Sequence, residues 1–288
     1  MEQTIHQKAI RKDNPVLSTI FRVIIYIMLL ALAVFTLIPF VWMISSSLKL
    51  DREVFAYPMK WIPETFHWEN YRLIWQKVPL LTYFKNTAII AVVVTFLQTL
   101  TSSFAAYAFA KLEFKGRDTL FLCYIATIAV PWQAYMLPQF IMMRSMGLYD
   151  TLWAMVVLQA FSAFGVFLMR QFYRGIPTEL CEAARIDGLS EYGIWARIML
   201  PLSTAAIATL VIFTFVSTWN DYMGPMIYLT RDVNKTIQVG LRRFIQENSS
   251  DYHLIMAASL CSLLPVSVMF LALQRYFIEG IATSGLKG

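Results

Sequence analysis

Apolar runs without charged side chains alternate with polar connectors along almost the whole chain. The first occupies 23–44; five more follow at about 86–110, 119–143, 151–169, 198–220 and 254–274. A helix that crosses the hydrocarbon of a bilayer needs about 20 residues at about 1.5 Å each. Each run therefore predicts one transmembrane helix, and the expected fold is all-α and integral to a membrane. Six transmembrane helices place both termini on one side. The connectors predict a polar N-terminal tail over 1–22, a segment over 45–85 on the opposite face, and a C-terminal tail over 276–288. No cleavage pattern follows the first tail, and the run after it is too long for a signal-peptide core.

Composition agrees: 58% of the residues are hydrophobic, 15% are charged, and the mean hydropathy is +0.57. Soluble domains lie nearer half apolar and a quarter charged. The net charge of +6 comes with no basic stripe, so nothing points to nucleic acid. Cys123, Cys181 and Cys261 are odd in number and far apart, which suits neither a disulfide framework nor a metal site. They read as small packing residues. His6, His67 and His253 are isolated and lie outside the runs, so no metal ligand set is expected.

Charge gives only a weak vote on orientation. Lys8, Arg11, Lys12, Lys111, Lys115 and Arg117 favour a cytoplasmic tail and a cytoplasmic 111–118 turn. The opposite connectors carry bases too, among them Lys49, Arg52, Lys60, Arg231, Arg242 and Arg243.

One connector is long, charged and patterned: ELCEAARIDGLSEYGIWARIMLP, over 179–201. Pro177 precedes it, and Glu179 and Glu182 suit the positive end of a helix. Ala183 and Ala184 keep a low face open to another protein surface. Gly188 is the natural left-handed stop. Ser190 can cap a second short helix, and Pro201 bends the chain into the next run. The spacing predicts helix, turn and helix outside the bilayer; the rival reading is a plain solvated connector.

Glu182-Ala183-Ala184, Asp187-Gly188 and Leu200-Pro201 resemble the cytoplasmic EAA loop of binding-protein-dependent ABC importer permeases. Leu189 and Trp195 stand where a small residue and a phenylalanine are commoner. The similarity extends from Pro39 to Gly288. Trp61-Ile62-Pro63, Asn70-Tyr71, Asn86-Thr87 and the break at Gly224-Pro225 are similar to the carbohydrate, maltose-type six-span class. This resemblance implies a type-1 permease domain over about 82–275, in a bacterial plasma membrane, with both termini cytoplasmic. Its EAA residues Glu182, Ala183, Ala184, Asp187 and Gly188 would couple to an ATPase. Asp221, Tyr222, Gly224 and Pro225 would reach toward a binding protein. The implied partners are a homologous second permease, two ATPase subunits and an extracellular or periplasmic sugar-binding protein. ATP and Mg would sit on the ATPase, with no cofactor in this chain.

Absent chemistry points the same way. No charged side chain or histidine lies in any run, where an ion-driven carrier keeps the group that holds its ion. No phosphate-cradling G-x-x-x-x-G-K-[ST] loop is present, so the chain is not expected to be an ATP-hydrolysing enzyme. A polar, uncharged pathway suits a sugar. Its candidates are Trp132, Gln133, Tyr135, Trp219 and Asn220, with Gln98, Thr101, Ser102, Ser103, Gln159 and Ser162 behind them. Against these stand helix-joining Ser and Thr and the interfacial Trp belt. Pro131 and Pro138 predict a bend in the third run. The alternatives are an importer for another polar solute, such as glycerol phosphate or an amino acid, and a membrane scaffold that transports nothing.

Overall fold

The computed structural model describes residues 15–245 and 251–285, with side chains over 19–245 and 251–276. Lys8, Arg11 and Lys12 of the first tail, and the last residues of the second, lie outside the described residues. All regular elements described are helical: α1 Pro15–Ser47, α2 Asp51–Val54, α3 Asn70–Lys77, α4 Leu80–Lys111 and α5 Arg117–Ala126. Next come α6 Met136–Ser145, α7 Leu152–Gln159, α8 Ala163–Arg174, α9 Glu179–Ile186 and α10 Glu191–Ile194. The chain continues through α11 Leu200–Leu202, α12 Thr204–Trp219, α13 Met223–Tyr228, α14 Ile237–Leu241 and α15 Tyr252–Gly285.

Three helices are long and apolar enough to cross a membrane, over Thr19–Ser47, Leu80–Lys111 and Tyr252–Tyr276. Two bent pairs, α7 with α8 at 41° and Glu191–Leu202 with α12 at 82°, raise the number to five among the described residues. The third apolar run is not one helix. It breaks between α5 and α6 around Val130 and Pro131, where proline has no N–H to give and disfavours a helical residue before it. Pro138 falls instead in the first turn of α6, where its missing donor costs nothing. α4 begins before its apolar stretch because Leu80 and Tyr83 are fully buried in a side-chain cluster there.

α4 organises the bundle, contributing side chains to all three buried clusters. Leu80 and Tyr83 pack with Ile74, Trp219, Ile237 and Leu254 at one end. Ile90 and Val94 meet Met143, Met155 and Tyr228 in the middle. Ala106 and Tyr107 meet Val166, Met169, Tyr173 and Leu210 at the other. Asn70 and Asn86 are buried clasps: Asn70 donates to the Ser47 and Lys49 carbonyls, both at 2.9 Å, and Asn86 to those of Val233 and Lys235.

The 82° bend has a local cause. Pro201 cannot donate to the Arg197 carbonyl, and Trp195–Met199 widens into a π-helical turn. Two residues later Ser203 Oγ donates back to the Met199 and Leu200 carbonyls at 2.7 and 3.1 Å, relieving the broken ladder.

Candidate functional site

Two features stand out: an arm outside the bundle and a polar cavity inside it. The arm is α9, rooted on α4. Lys111 closes α4 and is buried, with Nζ donating to the Ile176 carbonyl at 2.5 Å. It is therefore a structural clasp and not a charge displayed by the 111–118 turn.

α9 opens with Glu179 and Glu182 in its first turn, where the helix dipole favours carboxylates. It closes on a Schellman turn: Leu189 N–H donates to the Ala184 carbonyl at 2.9 Å and Gly188 N–H to that of Arg185 at 3.0 Å. Gly188 has φ +83°, in the left-handed region the sequence reading expected. Ser190 caps α10, its hydroxyl accepting from Gly193 N–H.

The EAA residues divide between two faces. Glu182, Ala183, Asp187 and Gly188 are exposed, whereas Ala184 is buried with Cys181 against Tyr107, Ile194 and Met199. Adjacent residues diverge by about 100° around a helix, so only one of the two alanines can form an open low face. Ala184 packs on its own chain, a correction to the expectation for both. The outward face also carries Ile186, 87% exposed, and Leu180, 44% exposed. Neither was singled out from sequence; the available signal was an apolar residue four positions after Glu182 on the polar side of an amphipathic helix.

The cavity lies where two spans are broken. Its larger lobe, about 590 Å³, is lined by Gln98, Gln159, Thr214, Thr218, Asn220 and Asp221, among others. A smaller lobe of about 270 Å³ adds Trp132, Tyr135, Gln139 and Tyr228. Gln159 and Asp221 border both lobes. Gln159 Nε2 donates to Asp221 Oδ2 at 2.9 Å, and its Oε1 accepts from Thr218 at 3.1 Å. Asp221 Oδ1 accepts from Gly224 N–H at 3.1 Å. A Cβ on Gly224 would lie 2.6 Å from Asp221 Oδ2 and 2.7 Å from the Met155 methyl, so only glycine allows this approach. The α7–α8 break is completed from α4: Gln98 donates to the Gln159 carbonyl at 3.0 Å and Thr101 to that of Ala160 at 2.9 Å. Ser162 then caps α8, accepting from Gly165 N–H.

The five pathway candidates separate. Trp132 and Tyr135 line the smaller lobe and Asn220 the larger, while Gln133 is exposed and borders neither. Trp219 is 2% exposed, donates to the Ser262 carbonyl at 3.0 Å and stacks on Phe215, so it is a core residue. Its neighbour Asn220, the C-cap of α12, lies about 100° further round the helix and faces the cavity. Of the four residues expected to reach outward, Gly224 and Pro225 are buried and Asp221 turns into the cavity. Tyr222 borders the larger lobe and accepts from Arg242 at 2.9 Å. The break falls at Asn220–Tyr222 and not at Gly224-Pro225, which lie in the first turn of α13, and α13 packs back on α7. Cys181 and Cys261 pack in clusters as expected, but Cys123 is exposed on α5.

Long apolar helices, interrupted spans around a polar cavity and an ordered external arm define a multi-pass membrane transport component. The chain belongs to the family described as binding-protein-dependent transport system inner membrane component, whose model matches residues 98–283. It is 33% identical over 281 residues to the arabinooligosaccharides transport system permease protein AraQ of Halalkalibacterium halodurans, covering 96% of this chain and 99% of that one. It is 35% identical to the melibiose/raffinose/stachyose import permease protein MelC of Bacillus subtilis, over 87% of this chain and 91% of that one. Among solved structures it is similar to a chain of a bacterial ABC transporter involved in the import of the acidic polysaccharide alginate. There the TM-score is 0.80 at 25% identity, covering 90% of this chain and 97% of that one.

Proposed function

We propose that this chain is the membrane-spanning permease of an ATP-driven importer that carries a sugar or oligosaccharide by alternating access. The observation that carries the reading is the cavity: amide, hydroxyl and aromatic side chains at two interrupted spans, with one carboxylate that is already hydrogen-bonded. Amides and hydroxyls bind sugar hydroxyls, and aromatic faces such as Trp132 and Tyr135 cover the apolar side of a pyranose. Relatives whose names carry oligosaccharides support the same substrate class.

The reading includes six spans, with the divided third run counted as one, and both termini cytoplasmic. α9 is the coupling helix. Its exposed Leu180, Glu182, Ala183 and Ile186 enter a groove on an ATPase subunit, and ATP and Mg act there. A homologous second permease completes the pathway, two ATPase copies lie below it, and a sugar-binding protein delivers substrate from outside. When the ATPase pair closes on ATP, α9 moves, and its roots on α4 and α10 carry that motion to the broken spans.

The test is reconstitution of the full complex in vesicles with its binding protein. ATP-dependent uptake of a labelled oligosaccharide that is lost with Asn220→Ala and Tyr135→Ala, while stimulated ATP hydrolysis persists, would support the reading. Uptake unaffected by cavity substitutions, or confined to a non-sugar solute, would overturn it.

A further inference from the structure

A second polar feature lies away from the cavity and the arm. At the turn between α4 and α5, a hollow of about 340 Å³ is lined by Arg117, Arg170 and Arg174 together with Phe109, Phe121 and Leu122. Among the described residues, Asp118 is the only carboxylate lining it. Arg170 is nearly buried: its side chain is 8% exposed, its Nε donates to the Phe109 carbonyl at 3.1 Å, and its guanidinium lies 3.8 Å from the Phe121 ring centre. Asp118 is shared, accepting from Arg170 Nη2 at 2.9 Å and from Arg117 Nη2 at 3.2 Å. Arg174 is exposed and lines the same hollow. Three guanidiniums against one carboxylate leave an excess of positive charge facing an open space.

We propose that this hollow binds the phosphate headgroup of an anionic phospholipid. Guanidinium forks match phosphate oxygens, and Arg170 is already held in place by its carbonyl and ring contacts. The choice of a lipid over a free anion rests on the apolar half of the wall. Leu122 lines the hollow at 69% exposure, and Ile125 and Ala126 follow it one turn on along the same face of α5. A headgroup at Arg174 could therefore run its chains along Leu122, where a free anion would leave that wall wet. Basic pockets at the membrane boundary recognise anionic headgroups in this way. The inference rests on the membrane placement of the proposed reading and not on its sugar.

The experiment uses the purified importer complex in nanodiscs of phosphatidylglycerol and phosphatidylcholine in equal parts, with native mass spectrometry reading retained lipid. Unmodified complex should retain phosphatidylglycerol preferentially. Arg174→Gln and Arg117→Gln should each reduce that preference about fivefold, the loss expected for one basic side chain near an anionic surface. Among the described residues the Arg174 side chain makes no hydrogen bond, so its variant keeps the test valid if Arg117→Gln is unstable. An unchanged lipid preference in Arg174→Gln overturns the proposal. So does displacement of the lipid by millimolar inorganic phosphate, which would make this a free-anion site. Failure of sugar uptake with the lipid preference intact would count against the transport reading alone.

Discussion

Arg185 of α9 donates to Glu191 of α10 through Nε at 2.7 Å and Nη2 at 3.2 Å, and the same carboxylate accepts from the Tyr107 hydroxyl of α4. The arm is thus pinned to the central helix by one carboxylate between two donors. With Lys111 holding the Ile176 carbonyl, α4 grips α9 at both ends. A rigid strut of this kind can pass a displacement on, where a tethered loop would absorb it.

Glu191→Ala should therefore loosen the arm more than its ion pair alone suggests. A half-exposed pair contributes about 0–1 kcal/mol. Leaving the Tyr107 hydroxyl without its acceptor adds about 1–3 kcal/mol. Amide hydrogen exchange over Glu179–Ile186 should quicken about tenfold or more, since about 1.4 kcal/mol is a factor of ten. Uptake should fall while the ATPase still co-purifies. Unchanged exchange would mean that the strut holds nothing.

At Gly188 the cost of substitution is conformational. No atom lies within 4 Å of a Cβ built there, yet φ is +83°. Gly188→Val should lose well over about 1 kcal/mol of local stability, whereas Gly188→Asn should lose less, because asparagine tolerates the left-handed region. Coupled ATP hydrolysis and uptake should rank glycine, then asparagine, then valine. An equal response to both variants would point to steric contact with the partner ATPase in place of turn geometry.

The loop before α7 supplies a pH test. Burial disfavours the ionised form of Asp150, but the N–H groups of Arg231 and Thr230, the Arg231 guanidinium and the Asn234 amide outweigh it and hold the carboxyl at about 2. An unfolded aspartate titrates near about 3.9. A depressed carboxyl stabilises fully above the unfolded value, and that contribution fades as pH falls from about 3.9 through about 2. Asp150→Asn should lower the thermal stability of the complex at neutral pH, by on the order of 2 kcal/mol. Its melting temperature should then vary less than the unmodified protein's between those two pH values. Parallel profiles would show that the clasp contributes little.

Much of this was readable along the chain. The first, second and sixth apolar runs fall on long helices, the fourth and fifth on bent helix pairs, and the third is divided; the local turn chemistry of Gly188, Ser190 and Pro201 is where the spacing put it. What was not readable depended on partners distant in sequence. The break at 160–162 has no proline or glycine; it survives because Gln98 and Thr101, about 60 residues upstream, take up its carbonyls. Ser162 carries a local signal as a helix cap, beside the pathway and helix-joining readings. Trp219 and Asn220 are neighbours with opposite fates, and only the packing of α15 against α12 decides which side chain enters the core.

Gln159 joins these distant pieces, and its removal is the sharpest test of the cavity. One side chain bridges Asp221 and Thr218, while its carbonyl accepts from Gln98. Gln159→Leu keeps the approximate volume and deletes both side-chain bonds. Asp221 would keep its bond from Gly224 N–H but lose its only side-chain donor among the described residues, at a cost of about 1–3 kcal/mol. Asp221→Asn alone should cost less, because a neutral amide can still pair with Gln159. If the bond matters, the two losses must not add: the double variant should be less damaged than the sum of the singles, with a coupling of about 0.5–3 kcal/mol. The measurement is a double-mutant cycle on the thermal stability of the complex, with oligosaccharide uptake followed in the same preparations. Strict additivity in stability would place Gln159 and Asp221 in separate roles, and the bridge between the two broken spans would have no energetic content.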